Sequence, residues 1–181
     1  MEELDIVPDK YDMMMDKFGE NYEFFLRGPF GQWFKRKMTI DDVVYNCCEQ
    51  YMMAQKALLF NSPRSYGQIM LASDPKDQKW MGRMIKGFVQ SVWDDHARDI
   101  VYRGNYAKFT QHEDFKEKLL GTSGKLLVEA NPRDDIWGIA LDEYDPRRLK
   151  RATWRGKNWL GQVLTRVRED IIANANNESR D

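Results

Sequence analysis

The sequence predicts an α+β fold, mainly helical, built as one compact domain with a few short strands. Two observations carry that prediction. Apolar residues recur at spacings of three and four through the middle and the C-terminal part of the chain, whereas extended pieces are short and fenced by Gly, Pro and Asp. Nothing across the 181 residues reads as a linker, and a 42% hydrophobic share with six Trp, nine Phe and ten Met can fill one sizeable core. The expected division is an N-terminal extension over 1–21, a domain over 22–173 and a polar tail over 174–181 that frays into solvent.

The acidic, Met-rich opening stretch has no clear period. Phe24, Phe25, Phe30, Trp33 and Phe34 are interrupted by Gly28, Pro29 and Gly31, which predicts short extended pieces joined by turns. Asp41 and Asp42 make a further turn before Val43–Tyr45. From Cys47 to Phe60 the chain lacks Gly and Pro and is rich in helix formers, so a helix is expected there. Two short helices follow between Ser65 and Arg83, the second capped at Ser73-Asp74-Pro75. Ile85, Phe88, Val89, Val92, Trp93, His96 and Ile100 fall on one helical stripe, which predicts a long helix ended or bent at Gly104-Asn105. A helical piece around Phe115–Leu120 closes at Gly121 and Gly124. Lys125–Ala130 reads as a buried strand and Ile136–Leu141 as a candidate second one. Leu160, Val163, Leu164, Val167 and Ile171 then define a last helix from Trp159 to Ala173, with Asn158 as its N-cap.

Charge narrows the function. Lys and Arg number 28 against 29 acidic residues, so no global field draws the protein to nucleic acid or membrane. The adjacent Cys47 and Cys48 are expected reduced and buried, and the chain has no apolar run long enough to span a bilayer, which together predict a cytoplasmic protein with no membrane partner. Only two His and no Cys-x-x-Cys pair argue against a zinc site. No Gly-x-Gly-x-x-Gly follows a strand and no Gly-Lys-Ser/Thr loop occurs, so a dinucleotide or nucleoside-triphosphate fold is not expected.

Three places can carry chemistry. Glu49 and Lys56 stand seven residues apart on the same face of the first core helix, among Met52 and Met53, where a carboxylate would gain a raised pKa suited to general acid or base work. On spacing alone, Glu49 reads first as an ordinary glutamate on a solvated edge. Asp134-Asp135-Ile136-Trp137-Gly138 puts two carboxylates before a Trp that could stack on a planar base; its plainer reading is a capped turn with the Trp in the core. Trp93 and His96, on the apolar stripe, read first as core residues. Residues 146–168 hold eight Lys and Arg and no acid, with Trp154 and Trp159 interleaved, a surface suited to phosphate and bases. The plainer reading is a solvated basic face offset by acids elsewhere.

Taken in order, several blocks resemble the NADAR, or YbiA-like, family from about Phe24 to Arg168. They are Glu49-Gln-Tyr-Met-Met-Ala-Gln-Lys56-Ala, Ile100-Val with Gly104-Asn105 and Ala107-Lys-Phe109, Leu119-Leu120, Leu127-Val-Glu-Ala130, Asp135-Ile-Trp-Gly138, and Trp154 with Gly156, Asn158 and Leu160-Gly161. The resemblance implies a compact, mainly helical α+β fold and N-glycosidase activity on ribosylated bases, with no cofactor. Two substrate branches are implied: ADP-ribose on guanine, as nucleoside or in DNA, which is favoured here, and early ribosyl-phosphate pyrimidines of riboflavin synthesis. It also implies Glu49 and Asp135 as catalytic residues, and Gln32, Trp33, Lys56, Trp93, Trp137, Arg155 and Asn158 as substrate-binding ones. Gly31-Gln32-Trp33 stands where members often show Ser-Gln-Trp, and Gly121-Thr-Ser-Gly124 where a shorter Thr-Gly turn is commoner, departures that bear on substrate preference. The rival from another class is a non-catalytic module that binds ADP-ribose or nucleic acid.

Overall fold

A computed structural model describes residues 9–179. The elements in order are α1 (Asp12–Lys17), β1 (Tyr22–Phe25), β2 (Met38–Ile40), β3 (Val43–Tyr45), α2 (Cys48–Leu59), α3 (Pro63–Leu71), α4 (Pro75–Arg83), α5 (Gln90–Gln111), α6 (Glu113–Leu120), β4 (Leu126–Glu129) and α7 (Trp159–Glu178), with short 3-10 turns at Pro146–Leu149 and Arg151–Thr153. The fold is mainly helical α+β, as expected.

β4 reads Leu-Leu-Val-Glu and is buried along its length, as a strand covered on both faces should be. It pairs in parallel with β1, Phe25 opposite Glu129. α7 packs over it, and Thr165 Oγ1 accepts the Leu127 N–H at 3.0 Å. β2 and β3 form a separate antiparallel hairpin whose turn, Asp41–Asp42, has φ values of 51° and 63°. A tight hairpin turn needs both left-handed positions, and Asp accepts them at lower cost than bulkier residues.

α2 is the hub. It is buried on nearly every side because α3, α4 and α5 all pack on it. Two glycines permit the approach. A Cβ on Gly104 of α5 would stand 2.8 Å from the Tyr51 ring, and one on Gly82 of α4 would collide with the Met53 sulfur.

Four expectations need correction. Gly104-Asn105 does not end α5, which continues to Gln111: Asn105 Nδ2 bonds back to the Val101 carbonyl at 2.9 Å and Gly104 serves packing instead. The helix begins only at Gln90, so Ile85, Phe88 and Val89 precede it, and its buried stripe runs through Trp93, Ala97, Val101, Asn105 and Lys108. His96 is exposed rather than in the core, its Nδ1 2.8 Å from the Val92 carbonyl. Ile136–Leu141 forms a loop, not a strand, pinned by the Ile139 N–H on the Glu129 carbonyl at 3.0 Å and turned by Ala140 at φ 53°.

Tyr11 and Met14 are buried and α1 packs on α7 and β4, while the part of the extension before Asp9 lies outside the described residues. α7 continues past Ala173 to Glu178. No helix among the described residues is long and apolar enough to cross a membrane.

Candidate active site

The first turn of α2 fixes Glu49. Cys47 caps the helix with Sγ accepting the Gln50 N–H, and the Glu49 N–H itself donates to the Gln32 carbonyl at 3.0 Å. The 28–34 turn is thereby stitched over the start of the helix. Gln32 locks it further: its Oε1 accepts from Asn105 Nδ2 at 2.8 Å, and its Nε2 lies 3.8 Å from Met52 Sδ. Trp33, next along, is 46% exposed.

Glu49 is 4% exposed, and burial pushes its pKa up to about 7. Lys79, the Trp33 indole and Arg83 oppose the rise, and the charge of Asp134 adds to it. Lys56, two turns on, lies with Nζ 4.3 Å from the centre of the Phe88 ring and 5.2 Å from that of Trp93. Burial lowers its pKa, Glu49 works against that, and Arg83 adds to it. Glu49, Lys56 and Trp93 thus share one neighbourhood.

A second carboxyl enters from the opposite side of the chain. Glu129 ends β4, is 9% exposed, and is pushed up to about 7 by burial first and by Asp134 second; Lys79 and an Asn131 hydrogen bond pull it down, and Glu49 adds a further rise. Its Oε2 is buried with no hydrogen-bond partner among the described residues. Asp134 couples to both glutamates. Its Oδ1 accepts the N–H groups of Ile136 at 3.1 Å and Trp137 at 2.7 Å, which fixes the carboxylate over the start of the loop. Asp135 is exposed, its carbonyl accepts the Lys157 N–H at 2.9 Å, and its charge is not among those that move Glu49 or Glu129.

The other expected residues divide. Trp137 is half-buried, set edge-on to Trp159 with ring centres 5.6 Å apart, and packs on the main core. Asn158 is 0% exposed and sits at φ 56°. Its Oδ1 accepts the Glu129 N–H and its Nδ2 donates to the Leu127 carbonyl, both at 3.0 Å, and it makes no side-chain cap. Arg155 is exposed on the following loop, and the carboxyl that feels it is Asp145.

Half of the eight cations in the basic segment are paired with an acid. Arg147 pairs with Asp145 at 2.5 Å, Arg151 with Asp16 at 2.6 Å and Arg166 with Asp170 at 2.8 Å, while Arg168 is buried against Thr122 and Glu169. The cations that reach Glu49 are Lys79 and Arg83, one turn apart on α4, with Lys56. None of the three makes an ion pair within 4.0 Å with a described residue. Beside them Trp80, Met84 and Phe88 are exposed. Sequence reasoning missed Lys79, Arg83 and Glu129, and left Asp134 as an alternative to Asp135. The signal for α4 was present as two interleaved pairs at i and i+4, Lys79 with Arg83 and Trp80 with Met84.

Two hollows of about 380 and 390 Å³ lie elsewhere, one lined by Tyr11, Asp94, Asp95, Arg98 and Asp99, the other by Phe24–Phe30 and Glu143. Neither is lined by Glu49 or Glu129, so side-chain chemistry and not cavity size marks the site. Among the described residues no group of three or more His, Cys, Asp or Glu could hold a metal ion. What the arrangement offers is proton transfer: two glutamates poised near neutral pH, a fixed aspartate and three cations.

Comparison with known proteins agrees with the fold. The chain is 41% identical over 146 residues to "N-glycosidase R617" of Acanthamoeba polyphaga mimivirus, covering 78% of this chain and 86% of that protein. It is 41% identical over 129 residues to "Protein irg-1" of Caenorhabditis elegans, covering 70% and 61%, and 26% identical over 174 residues to the maize "Riboflavin biosynthesis protein PYRR, chloroplastic", of which it spans 26%. The NMR structure of the E. coli protein YbiA superposes with a TM-score of 0.71 over 86% of this chain and 88% of that one, at 24% identity. The family model described as NADAR domain matches residues 18–172, and this chain belongs to the NADAR family.

Proposed function

We propose that the protein is an N-glycosidase that hydrolyses the bond between a ribose, carried in ADP-ribose or a ribose phosphate, and a nitrogen base. One observation carries the reading: Glu49, buried at the start of α2, is held near neutral pKa beside Asp134 and within the field of Lys79 and Arg83. The relative named an N-glycosidase, 41% identical over most of both chains, supports it.

In this reading cleavage passes through an oxocarbenium-like ribose. Glu49 orients the attacking water and takes its proton, and Asp134 takes the charge-offsetting role that the sequence suggested for Asp135. Lys56, Lys79 and Arg83 hold phosphate, and the base stacks on Trp33 or on the exposed faces of Trp80 and Phe88. ADP-ribosylated guanine, in a nucleoside or in DNA, is the favoured substrate. α4 and the turn after it present Lys76, Lys79, Arg83 and Lys86 interleaved with Trp80, Met84 and Phe88, a pattern that suits a nucleic-acid strand. The buried free thiols Cys47 and Cys48 suit a cytoplasmic enzyme.

Side-by-side turnover on ADP-ribosyl guanosine, ADP-ribosylated DNA and a ribosyl-phosphate pyrimidine separates the branches. The riboflavin branch is the second reading because of the maize relative's name. In a folded Glu49→Gln protein turnover should fall by about 10²-fold or more. Near-normal turnover would defeat the assignment, and binding of intact substrate without release of base would make the protein a binding module.

A further inference from the structure

The peptide of Glu129 is held from three sides. Its N–H goes to Asn158 Oδ1 at 3.0 Å, its carbonyl takes the Ile139 N–H at 3.0 Å, and the strand pairing sets it against Phe25. Such over-determination aims a side chain, and this one ends in a buried Oε2 with no partner among the described residues. An orphaned carboxyl oxygen in a core costs stability unless it carries a proton or meets a donor when a ligand binds. The charged groups around it are Asp134 on the loop, Lys79 on α4 and Glu49 on α2; β1 brings Phe25 alongside and α7 the neutral Asn158.

From this placement we infer that Glu129 is the general acid that gives its proton to the departing base, an inference that rests on the glycosidase reading above. Glu49 and Glu129 then divide the labour. The C–N bond breaks with its electron pair going to the base nitrogen, and the Glu129 O–H proton moves to the base. Water adds its oxygen to the ribose carbon and yields a proton to Glu49. Each turnover leaves Glu49 protonated and Glu129 ionised, and the proton returns to Glu129 through solvent. The same burial and the same Asp134 charge raise the Glu129 pKa to about 7, so a substantial share of Glu129 carries the proton at neutral pH.

The experiment is a pH profile of kcat/KM on ADP-ribosyl guanosine for the wild type, Glu129→Gln and Glu129→Asp, with carboxyl ¹³C NMR titration of the free proteins. Gln preserves shape without a transferable proton, so it should lower kcat/KM at pH 7 by about 10²-fold and abolish the alkaline limb while leaving the acid limb set by Glu49. Asp should retain the alkaline limb at reduced kcat. The resonance missing from Glu129→Gln should titrate near pH 7. Turnover of Glu129→Gln within about threefold of wild type with the alkaline limb intact overturns the inference and leaves the glycosidase reading standing. A Glu129 resonance that titrates as an ordinary glutamate overturns it without recourse to any substrate. Absence of turnover on every ribosylated base, with Glu129 titrating near pH 7, instead overturns the glycosidase reading and this inference with it.

Discussion

Asn158 holds Glu129 by its backbone: the carboxamide oxygen takes the Glu129 N–H while the carboxamide nitrogen reaches back to the Leu127 carbonyl. A side chain usually read as a helix cap therefore acts as the splice between α7 and β4. Asn158→Ala should leave two buried backbone groups unpaired and force a Cβ residue with less tolerance for φ 56° into the left-handed region, lowering stability by about 2–4 kcal/mol. Asn158→Gly loses the same bonds without the strain and should fall less. Urea unfolding of the three proteins measures the order, and equal losses would remove the strain argument.

Stability should depend on pH through the two glutamates. For each, the folded pKa of about 7 stands above the ordinary glutamate value of 4.5. The neutral form is favoured on folding, so this contribution is fully present below about pH 4.5 and is lost as pH rises through 7. Glu49→Gln should accordingly match the wild type near pH 4.5 and exceed it at pH 8 by on the order of 1–3 kcal/mol, while losing activity. Thermal unfolding at the two pH values tests the sign. A variant less stable than wild type at pH 8 would show the ionised carboxylate to be well solvated or paired.

Lys79 and Arg83 should carry substrate affinity. Lys79→Gln and Arg83→Gln are each expected to raise KM about five- to twentyfold with smaller effects on kcat, whereas a triple change of Arg147, Arg151 and Arg155 to Gln should leave KM within about twofold. Steady-state kinetics at fixed ionic strength reads the difference. The opposite ranking would return the phosphate to the 146–168 segment.

Gly161 is a packing requirement. A Cβ there would strike the Leu127 carbonyl oxygen and the Asn158 carboxamide, neither of which can move without breaking the splice. Gly161→Ala should cost about 3 kcal/mol or more in urea unfolding.

Glu49 was visible as a carboxyl on a helix apolar nearly all round, beside Met52 and Met53, but spacing alone left it an ordinary edge glutamate and the family resemblance singled it out. Lys56 stood out for the same reason. The choice between Asp134 and Asp135 was not legible, because adjacent side chains point apart and only the folded turn, with Asp134 taking the Ile136 and Trp137 amides, shows which one turns inward. Glu129 hid within a strand-like run that reads as core filling; its meaning comes from what faces it. The pairing of the basic segment was not legible because its counter-charges Asp16, Asp145 and Asp170 all lie outside the window that looks so one-sided. The fold class came from periodicity, which is local, while α5 ran through Gly104 because a contact with Tyr51 from another helix outweighed the local breaking tendency.

The β1–β4 pairing joins positions about a hundred residues apart in the chain. Loop closure on that scale is entropically costly, so this ladder should form late, after the helices between its strands have collapsed. Until it forms, the Glu129 peptide lacks its place opposite Phe25, and a partly folded or nascent chain carries this buried carboxyl without the frame that fixes it.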